Sequence, residues 1–214
     1  FAGTGTSTDP DPGTGLFYQW GRKDPFPATG KSGDQQAVGS FTAVATSSTN
    51  GTIVNTIQNP SVFLTAGPSS DYDWLYAARD STLWGHSADH SAPKTIYDPC
   101  PAGWRVPVNS VGDSNDTSLW YGFAKDDTTT PANIVDSFSY GYNWGDNALY
   151  PAAESHGYSS GTLSGIGTLG RYWSASPYSS SSNYASDLYF RNGTVSVSSN
   201  GNRAFGCSVR CVKE

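Results

Sequence analysis

Residues 171–214 read RYWSASPYSSSSNYASDLYFRNGTVSVSSNGNRAFGCSVRCVKE, and two kinds of sequence alternate along them. Apolar and aromatic residues recur throughout, whereas residues 178–184 consist only of Tyr, Ser and Asn and residues 198–202 only of Ser, Asn and Gly. Tyr offers a large amphipathic surface at little entropic cost, and Ser, Asn and Gly adapt to many partners. The alternation predicts a stable framework that carries a contact surface, which favours recognition over catalysis.

The same stretch holds the clearest strand signals of the chain. In residues 187–191 the apolar side chains share one face of a strand, so Asp187, Tyr189 and Arg191 are expected to face outward. Asn192-Gly193 is typical of a hairpin turn, and residues 194–198 alternate again after it. Phe205 to Cys211 predict a terminal strand, and its apolar end, Val209 to Val212, is expected to pair centrally in a sheet.

Composition indicates one packed domain. The chain has 214 residues with 7 Trp, 13 Tyr and 9 Phe, an aromatic load that compensates for the modest hydrophobic share. We expect one domain over residues 16–214, preceded by residues 1–15 as a flexible linker or an expression remnant. The net charge of −6 and the lack of a Lys/Arg cluster argue against a nucleic-acid partner.

Helix signals are few. Residues 31–60 predict short strands and a long loop, whereas Asp73–Arg79 and Ser118–Ala124 each predict a short helix. The fold class expected from these patterns is α+β, with two short helices and many loops.

The three cysteines leave several pairings open. Cys207 and Cys211 would lie about 13 Å apart within one strand, at roughly 3.3 Å per residue, which is too far for a bond between them. Cys100 can pair with only one of the two, so any disulfide leaves an odd thiol. Three reduced cysteines in a cytosolic protein are the alternative.

A longer motif lies upstream of this stretch. Residues 97–107 read Tyr-Asp-Pro-Cys-Pro-Ala-Gly-Trp-Arg-Val-Pro, residues 172–176 read Tyr-Trp-Ser-Ala-Ser, and the chain closes with Arg203…Gly206…Ser208-Val209-Arg210-Cys211-Val212. Together they resemble the major paralogous domain (FISUMP) family of Bacteroidetes surface proteins, over residues 16–214.

The resemblance implies a fold, a location and a disulfide. It implies the C-type-lectin-like fold, shared with formylglycine-generating enzymes and with the variable proteins of diversity-generating retroelements, built from short antiparallel sheets. It further implies a non-enzymatic, extracellular or surface-displayed domain, with a phage virion as the alternative, often at the end of a fimbrillin-type protein. The family pattern places a cysteine in each of two motifs, which implies a Cys100–Cys211 bond.

The retroelement proteins suggest where variation would lie. They resemble this chain in a Tyr-Trp-Ser framework whose intervening positions derive from adenine-rich codons, and Ser186, Asp187, Asn192 and residues 178–184 and 198–202 fit that palette. Ordinary polar loops of a non-diversified relative would have the same composition.

Catalytic and metal signals are weak. Cys207-Ser-Val-Arg-Cys211 resembles the paired cysteines of the copper-dependent formylglycine-generating enzymes, but its spacing is one residue short. The histidines lack metal-ligand spacing and are expected to be solvated loop residues; they are His86, His90 and His156. No cofactor is expected, although acidic residues could supply oxygen ligands to a structural calcium ion; they are Asp71 with Asp73, or Asp113 and Asp116 with Asn115.

The prediction is therefore an adhesin- or receptor-type domain that binds an unidentified protein or glycan at a cell or phage surface. The alternative is a structural pilin or tip subunit, and an upstream anchoring or pilin domain fits either. The predicted ligand-binding residues are Tyr178, Ser180, Ser181, Ser182, Asn183, Tyr184, Asp187, Tyr189, Arg191, Asn192, Ser198, Ser199, Asn200 and Asn202. Trp104, Arg105, Trp173, Arg203 and Arg210 are assigned to the framework.

Overall fold

The computed structural model describes residues 15–28, 40–66, 72–76, 80–86, 92–109, 120, 141–144, 148–164, 167–178, 183–191 and 194–214. This part of the chain is a mixed α+β structure made mostly of strands, in agreement with the predicted class. Its elements are β1 (Leu16–Gln19), β2 (Phe26–Pro27), β3 (Thr42–Ala45), α1 (Ile53–Gln58), β4 (Val62–Thr65), β5 (Trp104–Arg105), β6 (Gly141–Trp144), β7 (Ala148–Pro151), β8 (Ser155–His156), β9 (Leu163–Ser164), β10 (Leu169–Pro177), β11 (Tyr184–Arg191), β12 (Thr194–Asn202), β13 (Gly206–Ser208) and β14 (Val212–Lys213).

The central sheet brings the two ends of the sequence together. Its order is β12-β11-β10-β13-β1-β2, and β8 and β9 branch from β13. β10, β11 and β12 are successive antiparallel strands, and Arg191 pairs with Thr194 across the predicted Asn192-Gly193 turn, which itself lies outside the described residues. Three two-stranded sheets, β3–β4, β5–β14 and β6–β7, lie around the central one.

The helix predicted over residues 73–79 is wrong where the structure describes it, at residues 73–76. α1 lies in a segment predicted to hold strands and loop, and its N-cap is Thr52, whose hydroxyl accepts from the Asn55 N–H at 3.1 Å. Residues 73–76 are not helical, because Asp73 and Trp74 instead bond to distant segments. Of residues 118–124, only Trp120 is described, in a turn.

The predicted terminal strand is broken into two. β13 occupies the central position between β10 and β1, whereas β14 leaves this sheet and pairs with β5, with Val212 opposite Arg105. Residues 209–211 lie in neither strand. The expected central pairing of Val209 to Val212 is therefore wrong, because the chain turns away to meet the motif at residues 97–107.

A disulfide fixes that turn. Cys100 and Cys211 are bonded, with their Cα atoms 5.7 Å apart, which confirms the implied pairing. The Asp98 carboxylate accepts from the N–H groups of Cys100 and Val106, and the Lys94 ammonium lies 3.4 Å from Asp98. Hydrogen bonds within residues 97–107 thus hold this motif in a compact corner, and the disulfide attaches Cys211 covalently to it.

Two apolar clusters cover opposite faces of β10 and β11. Trp173, Ala185 and Cys207 pack with Trp20 and Trp84 on one side. The other cluster contains Trp120, Tyr150, Ala152, Tyr172, Leu188 and Phe190. Because both faces are covered along much of their length, simple inside–outside alternation fails there.

Candidate recognition surface

The predicted ligand-binding residues fall into two groups. β11 is eight residues long, so its ends lie about 23 Å apart at roughly 3.3 Å per residue. Tyr178, Asn183 and Asn202 lie near Tyr184 at one end: the Tyr178 N–H donates to the Tyr184 carbonyl at 3.0 Å, and Asn202 pairs with Tyr184. Arg191 is exposed at the other end. One compact site cannot include both ends.

Asp187 does not face outward. Its side chain is fully buried opposite Trp173, with an oxygen 3.4 Å from Arg171 Nη1. Burial raises the pKa of Asp187, and the Arg171 guanidinium opposes that shift. The alternation rule gave the wrong orientation, because the face that bears Asp187 is itself covered by the cluster around Trp173. Asp187 is a buried partner of Arg171 and not a surface contact.

The segment from Ser198 to Asn202 is a strand and not a loop. It forms the end of β12, where Ser199 is half-buried opposite Asp187 and Asn200 is exposed. Gly201 is buried against the Trp173 ring, and a Cβ at this position would lie only 2.6 Å from that ring. The remaining predicted contacts, Ser180, Ser181, Ser182 and Asn192, lie outside the described residues.

A continuous line of ring contacts joins the Tyr184 end of the sheet to its middle. Tyr72 stacks on Tyr184 with centroids 6.2 Å apart, and it meets Tyr158 edge-on at 5.6 Å. Tyr158 in turn meets Phe205 at 5.0 Å. We call the six residues of this line the aromatic band: Tyr72, Tyr158, Arg171, Tyr184, Tyr189 and Phe205. All six are partly or largely exposed.

Arg171 completes the band with a positive charge. Its guanidinium lies 4.7 Å from the centre of the Phe205 ring and 5.1 Å from that of Tyr189, within the range of cation–π attraction. Asp187 lies beneath it as the ion partner. The guanidinium is thus held in place between two rings and a carboxylate.

Hydrogen bonds from the framework position the rings. Tyr72 has a φ of +72°, a strained conformation for a non-glycine residue, and its carbonyl accepts from the Ala204 N–H at 3.1 Å. The carbonyl of Tyr158 accepts from the Ala66 N–H at 2.7 Å. Backbone strain of this kind clusters at functional sites. The strained φ of Tyr72 therefore favours a functional role for this residue over a purely structural one.

Arg203 anchors the segments beneath the band, as its framework role predicts. It is buried with its guanidinium 4.3 Å from the centre of the Trp20 ring and 3.8 Å from Asp73. It also donates to the Tyr184 and Asp80 carbonyls. Asp73 is the described member of the candidate calcium ligands, and it is the ion partner of Arg203. The other candidates lie outside the described residues, so the calcium site stays a prediction.

The other framework assignments agree with the structure where it describes them. Arg105 donates to the Ala92 and Gly85 carbonyls, and Arg210 donates to the Leu149 carbonyl. Trp173 is buried and its indole N–H donates to the Tyr18 carbonyl at 2.8 Å. Trp104, in contrast, is 43% exposed on β5.

Four members of the band are not among the predicted ligand-binding residues: Tyr72, Tyr158, Arg171 and Phe205. Gly157-Tyr158-Ser159-Ser160-Gly161 has the same Gly, Tyr and Ser composition as the C-terminal segments, and Tyr72 follows Ser69-Ser70-Asp71. Extending the compositional search to the whole chain would have found both tyrosines. Arg171 gave no signal, because its role depends on the rings of two other elements.

The histidine prediction is wrong for His156. This residue is fully buried, its ring nitrogens lie 2.8 Å from the Gly161 carbonyl and 3.0 Å from the Pro27 carbonyl, and the Phe17 ring packs edge-on against it. Burial lowers the pKa of His156, and the two carbonyls oppose that shift. His86 is half-buried, and His90 lies outside the described residues.

Metal-binding groups are absent from the part of the chain that the structure describes. No three His, Cys, Asp or Glu residues there are grouped to hold an ion. Cys211 is bonded to Cys100, so it does not form a thiolate pair with Cys207, whose pKa is raised by burial. The described residues also contain no helix of the length and hydrophobicity needed to cross a bilayer.

No protein-family model matches this chain, and comparisons with curated proteins and with solved structures give no match either. Function is therefore inferred from the geometry of the aromatic band and its supports.

Proposed function

We propose that this chain is a non-enzymatic recognition domain of adhesin or receptor type, which binds a protein or glycan through the aromatic band. The observation that carries the proposal is the line of ring contacts that runs from Tyr184 to Phe205 and ends at a pre-positioned Arg171. Tyr and Arg are the residues most enriched at binding hot spots, because they combine large contact area with directed polar groups.

The electrostatics of the band support a ligand with acceptor groups. The Arg171 side chain keeps an exposed fraction of 15%, with Asp187 as its ion partner and the rings of Tyr189 and Phe205 against its guanidinium. Rings that are already packed and a guanidinium that is already oriented lose little entropy when a ligand binds. Hydroxyl, carbonyl or carboxylate oxygens flanked by apolar surface would fit this arrangement.

Export is part of the proposal. Disulfides persist in oxidising compartments, and the Cys100–Cys211 bond ties the chain end to the corner at residues 97–107. The resemblance of that corner to the major paralogous domain family, and the C-type-lectin-like fold it implies, point the same way. We propose an extracellular or surface location on these grounds.

Diversification by a retroelement is the finer form of this proposal. Among the candidate variable positions, Tyr184 belongs to the band, and Tyr178, Asn183 and Asn202 lie beside it. Its test is genomic: a reverse transcriptase gene nearby, with an adenine-differing copy of the segment that encodes residues 171–212, is the expected finding.

A binding experiment tests the band directly. The labelled domain is applied to a glycan array and to a display library of extracellular proteins, and each hit is titrated with the Tyr72→Ser/Tyr184→Ser variant. Two hot-spot losses of about 2 kcal/mol would each weaken binding by roughly thirtyfold. The matched control is Trp104→Ser, which removes an exposed aromatic ring outside the band. Loss of binding by the control, with unchanged binding by the tyrosine variant, would refute the proposal.

A structural pilin or tip subunit is the second candidate, and the edge strand β12 favours it. β12 has nine residues without a charge or a proline, and among the described residues only β11 pairs with it. Such an edge can accept a strand from another subunit. Sedimentation at high protein concentration separates the two functions: a persistent monomer would exclude self-assembly through this edge.

A further inference from the structure

A cavity of about 300 Å³ lies on a part of the molecule that shares no lining residue with the aromatic band. It is bounded by the turn Gly21–Asp24, by one face of α1 and by the segment Ile96–Tyr97. Trp74 and Leu83 are almost fully buried and form its inner wall, whereas Ile57 and Ile96 are 58% and 75% exposed and lie at its mouth. Its volume is at the lower end of the range for small-molecule pockets.

The inner wall is rigidly held. Gly21 has a φ of +86°, and a Cβ there would meet Leu83 Cδ1 at 2.6 Å, so the turn closes tightly on the wall. The Trp74 indole N–H donates to the Trp20 carbonyl at 2.7 Å, which satisfies its polar atom within the protein. The ring therefore offers only apolar surface to the cavity, and the cavity is formed before any ligand enters.

The exposed isoleucines distinguish this cavity from an ordinary packing defect. Ile57 lies on α1 and Ile96 on the segment before Tyr97, and both line the cavity. Single exposed apolar residues are common, but two that line the same cavity add exposed apolar surface to one site. A ligand in the cavity would remove both from water.

The charged residues that line the cavity carry a net charge of +1, because Arg22 forms an ion pair with Asp24 at 3.7 Å and Lys23 adds a second positive charge. Arg22 and Lys23 both line the cavity, and Asp24 is the one acidic residue among the described lining. Burial lowers the pKa of Arg22 to about 10, with Asp24 opposing the shift, so the guanidinium is charged at neutral pH. Arg22 is held by Gln19 and the Val62 carbonyl, whereas the Lys23 side chain is exposed. This local excess of one positive charge contrasts with the net −6 of the chain.

We propose that the cavity binds a compact amphipathic anion, a small molecule with an aromatic or branched aliphatic body and a single carboxylate or sulfonate. The body lies against Trp74 and Leu83 between the two exposed isoleucines, and the anionic group lies at the mouth beside Lys23. The site is independent of the aromatic band, so either can fail without the other.

Naphthoate is a suitable probe, because its fused rings fit the volume and its carboxylate supplies the charge. Binding is measured by heteronuclear NMR on the full chain, and the expected result is saturable shifts at the Trp74 indole and the Ile57 and Ile96 methyl groups. Ile57→Glu places a charge at the mouth and is expected to weaken binding on the order of tenfold or more, because it removes an apolar wall. Val54→Glu is the matched control: Val54 is 65% exposed on the same helix but does not line the cavity.

The charge is tested separately. Lys23→Gln is expected to weaken naphthoate binding by about two- to fivefold, the range of an exposed ion pair, whereas Lys213→Gln is expected to leave it unchanged. Naphthalenemethanol has the same ring body without the charge, and it is expected to bind more weakly. Absence of saturable shifts, equal loss in the Ile57 and Val54 variants, or equal affinity for the acid and the alcohol would each overturn the proposal.

Discussion

Removal of the Cys100–Cys211 bond is the most quantitative test of the framework. The two residues are 111 apart in the chain, and closing a loop of that size lowers the entropy of the unfolded state by an amount worth about 4.8 kcal/mol. Measured values usually fall below this figure, so we expect Cys100→Ser/Cys211→Ser to lower the free energy of unfolding by about 3–5 kcal/mol. For a domain of this size the melting temperature should fall by about 10 °C or more.

The assay is guanidinium unfolding followed by tryptophan fluorescence, with and without a reductant. Native contacts around the corner, such as the Lys94–Asp98 pair and the pairing of β14 with β5, remain possible in the variant, so the folded structure should be retained. The reductant should destabilise the parent chain and leave the double variant unchanged, because Cys207 is buried and unbonded. A stability loss below about 1 kcal/mol would refute the loop-entropy argument.

Three further outcomes are expected. Gly201→Ala should lower the free energy of unfolding by about 1–3 kcal/mol, because the added Cβ meets the buried Trp173 ring at 2.6 Å. Asn200 is exposed one residue away, so Asn200→Ala should leave the free energy of unfolding unchanged. Equal urea midpoints for the two variants would contradict this expectation. Burial lowers the pKa of His156, so below about pH 6.5 the unfolded chain binds a proton at this residue while the folded chain does not. The free energy of unfolding should therefore fall as the pH falls below about 6.5, by up to about 1.4 kcal/mol per pH unit. His156→Gln should lack this slope in urea titrations at different pH values. Asp187→Asn should weaken binding of any ligand held by Arg171, whereas a ligand whose affinity stays the same in this variant does not use that guanidinium.

The sequence predicted those features that depend on neighbouring residues. The β11–β12 hairpin follows from alternation on both sides of Asn192-Gly193, and the mostly stranded class follows from the same patterns. The Cys100–Cys211 bond followed from the resemblance of two motifs, since composition alone left the pairing open.

Features that depend on distant segments could not be predicted from local patterns. Asp187 looked like a surface residue because nothing nearby shows that the cluster around Trp173 covers its face of the sheet. The aromatic band joins residues from five separate segments, so no spacing rule identifies it. α1 was missed because its Ile and Val residues favour strands, while its N-terminal cap is a single threonine.

The position of β13 has a consequence for how the chain acquires its shape. This strand lies between β1 and β10, with Phe17 opposite Ser208, so the middle of the sheet joins residues from nearly opposite ends of the sequence. Contacts of such long sequence separation form slowly, and this one cannot form before residue 208 has been synthesised. We therefore expect the middle of the sheet to close late in folding, with β1 left without its β13 partner until then.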